Sequence, residues 1–221
     1  DLTAVDSGKT IVIFGGHSAY SPVIFDTTAG DAVGGTGNDT LGDATANRNN
    51  QFVGGVGNDT ITGNGGADAM YGGAGNDTFV INADNVAKLS LAGSAQALMA
   101  IDGGTGLDSI ELSGSGIDFD LRNVKSDRLQ DVERIDLTGS GNNTLRLTAA
   151  DVADMAGMNL VNAGSQAALG WSNGSYGFAA AEQRHQLIIE GDAGDALTLT
   201  GVPWVYQGTA SKGGTTYAVY N

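Results

Sequence analysis

Residues 54–80 read GGVGNDTITGNGGADAMYGGAGNDTFV: three nonapeptides, each a six-residue turn rich in glycine followed by three residues of strand character. Ile61, Met70 and Phe79 occupy the eighth position of each, and Phe52 stands nine residues before Ile61. A flexible glycine linker has no use for an apolar side chain at a fixed interval. If two nonapeptides complete one coil, all four side chains point inward and stack into a narrow core.

Outward from this stretch, GGTGNDTLG begins at Gly34 and GGTGLDSIE at Gly103. The interval between the turns at Gly34 and Gly54 exceeds two nonapeptides by two residues, an insertion placed within DATANRNN, residues 43–50. Fixed-period self-similarity is the mark of a solenoid, in which each repeat rests on its neighbours.

The pattern G-G-x-G-x-D-x-U-x, as it stands at Gly34, Gly54, Gly72 and Gly103, resembles that of RTX (repeats in toxin) proteins. The resemblance implies an all-β chain built on a right-handed parallel β-roll, with calcium between coils. The residue types suit that ion independently. Calcium takes six to eight oxygens at roughly 2.3–2.6 Å, from carboxylates and backbone carbonyls alike. A turn that aims several carbonyls at one point needs backbone conformations that glycine adopts most cheaply.

As the resemblance implies, one turn supplies its first and third carbonyls plus its aspartate, and the next its second and fourth plus its aspartate. One ion is then expected among Gly34, Thr36, Asp39, Gly55, Gly57 and Asp59, and a second among Gly54, Val56, Asp59, Gly73, Gly75 and Asp77. Gly72 opens the last of these turns, and Gly103, Thr105 and Asp108 belong to the isolated one. On the opposite side of the roll, Gly63, Gly65 and Asp68 are further candidates, with imperfect neighbours: Asp43, Asn47 and Asn50 above, and Asp84 two residues early below.

Composition is consistent with this reading. Among 221 residues there are 36 glycines, two prolines, no cysteine and a net charge of -15 from 25 acidic and 10 basic residues. Glycine at this level argues against a helix bundle. The acidic excess repels phosphate backbones and anionic membrane surfaces and attracts cations. Lack of cysteine rules out a disulfide framework and a thiolate metal site. No apolar run of about eighteen residues is present to span a bilayer. The chain opens at Asp1 without methionine and reads as a segment of a longer polypeptide, with any targeting signal outside it.

Three regions are expected: an N-terminal β-hairpin cap over residues 1–30, the β-roll over 31–86, and a β-rich solenoid or sandwich-like module over 87–221 with an isolated RTX-like turn at 103–111. In the last region ELSGSG at Glu111 is echoed by DLTGSG at Asp136, which suggests further coils of looser period. IDFDL, RIDL and TLRL alternate as short strands do. Thr148 and Asp151 form a helix-start signature, and residues 87–100 read as a strand or a short helix. LIIEGDAGDALTLTG gives two strands around an acidic turn, and TTYAVYN a final one. These later segments resemble the module that follows RTX repeats in large bacterial adhesins exported by type I secretion. The resemblance implies an extracellular or cell-surface location and the type I secretion machinery as a partner during export.

Rival readings fail on spacing. No lysine followed by serine or threonine closes a phosphate loop after GGTGND, and the alternating acids of an EF-hand are missing. His17 and His185 are isolated, with no HExxH and no GxSxG, so no catalytic residue is assigned. The aromatic residues Trp171, Tyr176, Phe178, Trp204, Tyr206, Tyr217 and Tyr220 crowd the last quarter. They are read first as core; the alternative is a carbohydrate- or peptide-binding module that uses them together with calcium.

Overall fold

The structure, a computed structural model, describes residues 9–12, 23–26, 30–90, 99–139 and 141–221. Strands dominate, and most of those described run parallel. One five-stranded sheet is ordered Leu129–Gln130, Ala100–Thr105, Ala69–Ala74, Gln51–Val56, Ala32–Val33. A six-stranded sheet is ordered Ile188–Glu190, Arg134–Asp136, Ser109–Leu112, Thr78–Ile81, Thr60–Thr62, Thr40–Gly42. The chain visits the two alternately, so every nonapeptide contributes one strand and one turn. This is the β-roll.

Register follows the period. Phe52 pairs with Met70 and Met70 with Ile101 in one sheet, while Ile61 pairs with Phe79 and Phe79 with Ile110 in the other. All six side chains are at most 1 % exposed. Each strand is too short to bury anything alone; stacking supplies the core.

After Leu112 the coil widens. A third parallel sheet, Asp118–Asp120, Thr144–Thr148 and Ala196–Thr200, adds a side. Glu111 pairs with Asp136, so the repeated GSG segments follow adjacent strands. Phe119, Leu145 and Leu147 turn inward and extend the same hydrophobic cluster that begins at Phe52. The last sheet, Trp171–Asn173, Tyr206–Lys212 and Thr215–Tyr220, is antiparallel and holds a smaller cluster around Trp171 and Ala210.

Two α-helices interrupt the strands. Ala149–Met155 begins at Thr148 with a reciprocal capping box to Asp151. Ala83–Leu89 begins at Asn82 with the same device supplied by Asn85, and covers the first part of the stretch read as a strand or a short helix; residues 91–98 lie outside the described ones. Lys9–Val12 pairs antiparallel with Val23–Asp26, and residues 1–8, 13–22 and 27–29 of the expected cap lie outside the described residues. Among the described residues no helix is long and apolar enough to cross a membrane.

Candidate metal centre

Four glycine turns stack on one side of the roll: residues 34–39, 54–59, 72–77 and 103–108. Two ladders of hydrogen bonds run through them in opposite senses. The Asp39 backbone N–H donates to Asp59 Oδ1 at 2.8 Å, Asp59 to Asp77 at 2.7 Å, and Asp77 to Asp108 at 2.7 Å. In return the Asn58 N–H donates to Asn38 Oδ1 at 2.8 Å, Asn76 to Asn58 at 2.8 Å, and Leu107 to Asn76 at 2.9 Å. The asparagine ladder was visible in the sequence only as a repeated residue.

Asp59, Asp77 and Asp108 each use Oδ1 in the ladder, while Asp39 accepts through Oδ2 from Gly35 N–H at 2.7 Å. In Asp59, Asp77 and Asp108, Oδ2 makes no hydrogen bond, and these residues are at most 1 % exposed. Three buried carboxylate oxygens without partners are costly, since neither water nor a donor compensates their desolvation. Burial pushes the Asp77 carboxyl above its ordinary range and that of Asp108 to about 7, with neighbouring carboxylates adding to both.

Backbone oxygens converge on the same spaces. Between the turns at 54–59 and 72–77, the carbonyls of Gly55 and Gly57 lie against Gly73 and Gly75, while Gly72 O lies against Gly54 and Ala74 O accepts from Gly57 N–H at 2.7 Å. Between 72–77 and 103–108, Gly73 O and Gly75 O meet Gly103 O and Thr105 O in the same way, with Gly75 N–H donating to Thr105 O at 2.9 Å. Between 34–39 and 54–59, Gly35 O accepts from Val56 N–H at 2.9 Å, Gly37 O lies against Gly57, and Gly54 O lies against Gly34.

This corrects the pairing that the resemblance implied. The second and fourth carbonyls of the earlier turn, not its first and third, face the later turn, and the later turn answers with its first and third. Gly34 and Thr36 therefore do not share a gap with Gly55 and Gly57, nor Gly54 and Val56 with Gly73 and Gly75. The parallel ladder is the reason: successive carbonyls along a strand bond to opposite neighbours, so register decides which of them a gap receives.

On the other side of the roll an amide closes the turn at residues 63–68. Asn85, fully buried, donates from Nδ2 to Asp68 Oδ2 at 3.0 Å and to Gly66 O at 3.1 Å, and accepts from Gly65 N–H at 3.0 Å. Asp68 Oδ1 accepts from Asn50 N–H at 2.8 Å, and Asp84 Oδ2 from Gly66 N–H at 2.7 Å. A β-carbon on Gly63 would meet the Asn85 amide at 2.8–2.9 Å. Gly63, Gly65, Asp68 and Asp84 thus come together, but both Asp68 oxygens have partners. Burial still raises the Asp68 carboxyl to about 7.

Among the described residues no three His, Cys, Asp or Glu side chains cluster as a metal site, so a cation in any of these gaps would draw much of its oxygen from the backbone. Paired carboxylates, carbonyl-only donors and unbonded Oδ2 atoms fit a hard dication such as calcium. His185 hydrogen-bonds the Ala156 carbonyl through Nδ1, and His17 lies outside the described residues.

Residues 45–79 match the family model of the RTX calcium-binding nonapeptide repeat, in four copies. Comparison with curated proteins and with solved structures gave no match. The stretch is an RTX calcium-binding region of β-roll architecture, and Ca2+ is the cofactor of such repeats. The turns at 34–39 and 103–108 lie outside the matched residues and join the row through the two ladders.

Proposed function

We propose that this chain is the calcium-organised module of a secreted or cell-surface adhesin, folding once exported and serving adhesion as a stiff structural element. The observation that supports this reading is the set of unbonded, buried Asp59, Asp77 and Asp108 Oδ2 atoms, each beside the first carbonyl of the following turn. Bound calcium supplies positive charge to oxygens that otherwise repel. The chain supplies the rest: glycine turns present carbonyls, Asp59 and Asp77 each stand between two gaps, and the ladders hold register. We assign Gly35, Gly37, Asp39, Gly54, Val56 and Asp59 to the first gap. Gly55, Gly57, Asp59, Gly72, Ala74 and Asp77 form the second, and Gly73, Gly75, Asp77, Gly103, Thr105 and Asp108 the third. The turn at 63–68 is assigned to amide closure by Asn85.

In a low-calcium cytosol such a chain stays extended and exportable through a type I apparatus, whereas extracellular sites fill at about 0.1–1 mM calcium. The carbohydrate or peptide reading has less support, because Trp171, Phe178 and Tyr217 pack together around the smaller core, leaving Tyr206 and Tyr220 as the well-exposed aromatics of the last quarter.

Circular dichroism during calcium titration tests the proposal, with magnesium as control. A coil-to-β transition in calcium alone is expected, weakened by Asp59→Ala far more than by Asp192→Ala, since Asp192 is an exposed turn residue. A protein that stays compact and β-rich after thorough EGTA dialysis at mildly alkaline pH, where the buried carboxylates are ionised, overturns it.

A further inference from the structure

We infer that the cation row continues beyond the last nonapeptide, into a calcium site between the turn at 103–108 and the segment Asp131–Glu133. The inference rests on the calcium reading of the turns above. No glycine motif marks residues 131–133, yet they occupy the next turn's place. Gln130 pairs with Asp102 in one sheet and Arg134 with Ser109 in the other, so six residues of one coil face three of the next.

The shortened turn keeps the features that matter for a cation. Asp131 has a φ of 50°, in the left-handed region, so this short turn bends sharply without a glycine. Its carbonyl lies against Gly103, as Gly72 O lies against Gly54 and Gly103 O against Gly72. Glu133, 4 % exposed, takes the ladder position: its Oε2 accepts from Asp108 N–H at 2.9 Å, continuing the series that begins at Asp39. The longer side chain restores the reach that the missing residues remove. Glu133 Oε1 accepts from Gly157 N–H at 3.0 Å, which fixes the carboxylate; both its oxygens have donors, as those of Asp68 do, and what this gap holds that the turn at 63–68 lacks is the unbonded Asp108 Oδ2.

Asp108 requires this site. It is fully buried, and its Oδ2 makes no hydrogen bond. That atom and the Asp131 carbonyl both close on the α-carbon of Gly103, on the side facing the next coil. Asp77, Asp131 and Glu133 surround Asp108 with negative charge, and Arg134, next to Glu133 in the sequence, is turned to Asp136 and Glu190. Oxygen donors alone, two of them carboxylates, select a hard dication of calcium's kind.

Crystals of the full chain grown with terbium in place of calcium provide the test, through the anomalous difference map. Peaks are expected in the three gaps between glycine turns and in a fourth between residues 103–108 and 131–133. Three peaks without the fourth overturn this inference and leave the calcium reading standing; no peak at all removes both. In solution, Glu133→Gln keeps an oxygen for Asp108 N–H and removes the charge, so equilibrium dialysis should count one calcium fewer than in the unmodified chain. An unchanged count overturns the inference.

Discussion

At Gly72 a β-carbon would stand 2.6 Å from the Gly103 carbonyl oxygen and 2.8 Å from Asp77 Cγ. Glycine is needed there for space, because oxygens already converge on its α-carbon. Gly73 and Gly75, with φ of 112° and 134°, are needed for conformation. Asn85 shows the alternative to a cation: its amide donates to a carboxylate and a carbonyl, the same two kinds of oxygen that face each other across the calcium gaps. Replacing the donor with an acceptor, Asn85→Asp, sets two buried carboxylates together. Equilibrium dialysis should then show one additional calcium; an unchanged ion count would rule out the view that the amide stands in for a cation.

At the scale of the turn and strand, carboxylates are held in a row by the backbone itself. The cost of ionising them without metal sets a pH dependence whose sign follows from burial. Asp68 and Asp108 have folded-state values of about 7, above the ordinary 3.8, so the metal-free folded state binds protons more tightly than the unfolded chain. The stability that these two groups give the metal-free chain is therefore fully present only below about pH 4, falls as pH rises, and is lost progressively up to about pH 7. Far-UV circular dichroism across this range should record that decline, flattened in the double variant Asp68→Asn with Asp108→Asn. A signal that rises with pH in EGTA contradicts it. The strands contribute the opposite term, since Phe52, Ile61, Met70 and Phe79 are wholly buried whatever the ionisation state of the turns.

Across the whole molecule one hydrophobic cluster runs from Phe52 through Ile110 and Phe119 to Leu147 and Met155. The repeats and the wider coils beyond them are therefore coupled by packing, although only the repeats carry the glycine motif. Phe119→Ala, a core truncation that typically costs about 3–5 kcal/mol, should raise the calcium concentration needed to order the whole chain. A calcium midpoint unchanged from that of the unmodified protein would show that the two parts fold independently. Net charge acts at the same scale: an excess of 15 negative charges opposes compaction until cations bind.

The roll was legible because its cause is local. Nine-residue spacing forces turn and strand to alternate, the eighth residue of each nonapeptide must face inward, and glycine with aspartate at fixed positions makes a ring of oxygen. The helix start at Thr148 and the strands of IDFDL, RIDL and TLRL were legible for the same reason. Carbonyl direction across each gap, the amide of Asn85 beneath Asp68, the third sheet, and Glu133 as the next rung after Asp108 were not. Each of these depends on which coil lies against which, and the 25 residues separating Asp108 from Glu133 have no period to reveal it. Short-range covalent spacing determined the repeat and its ion; register between coils, which exists only once the chain is stacked, decided which oxygens meet.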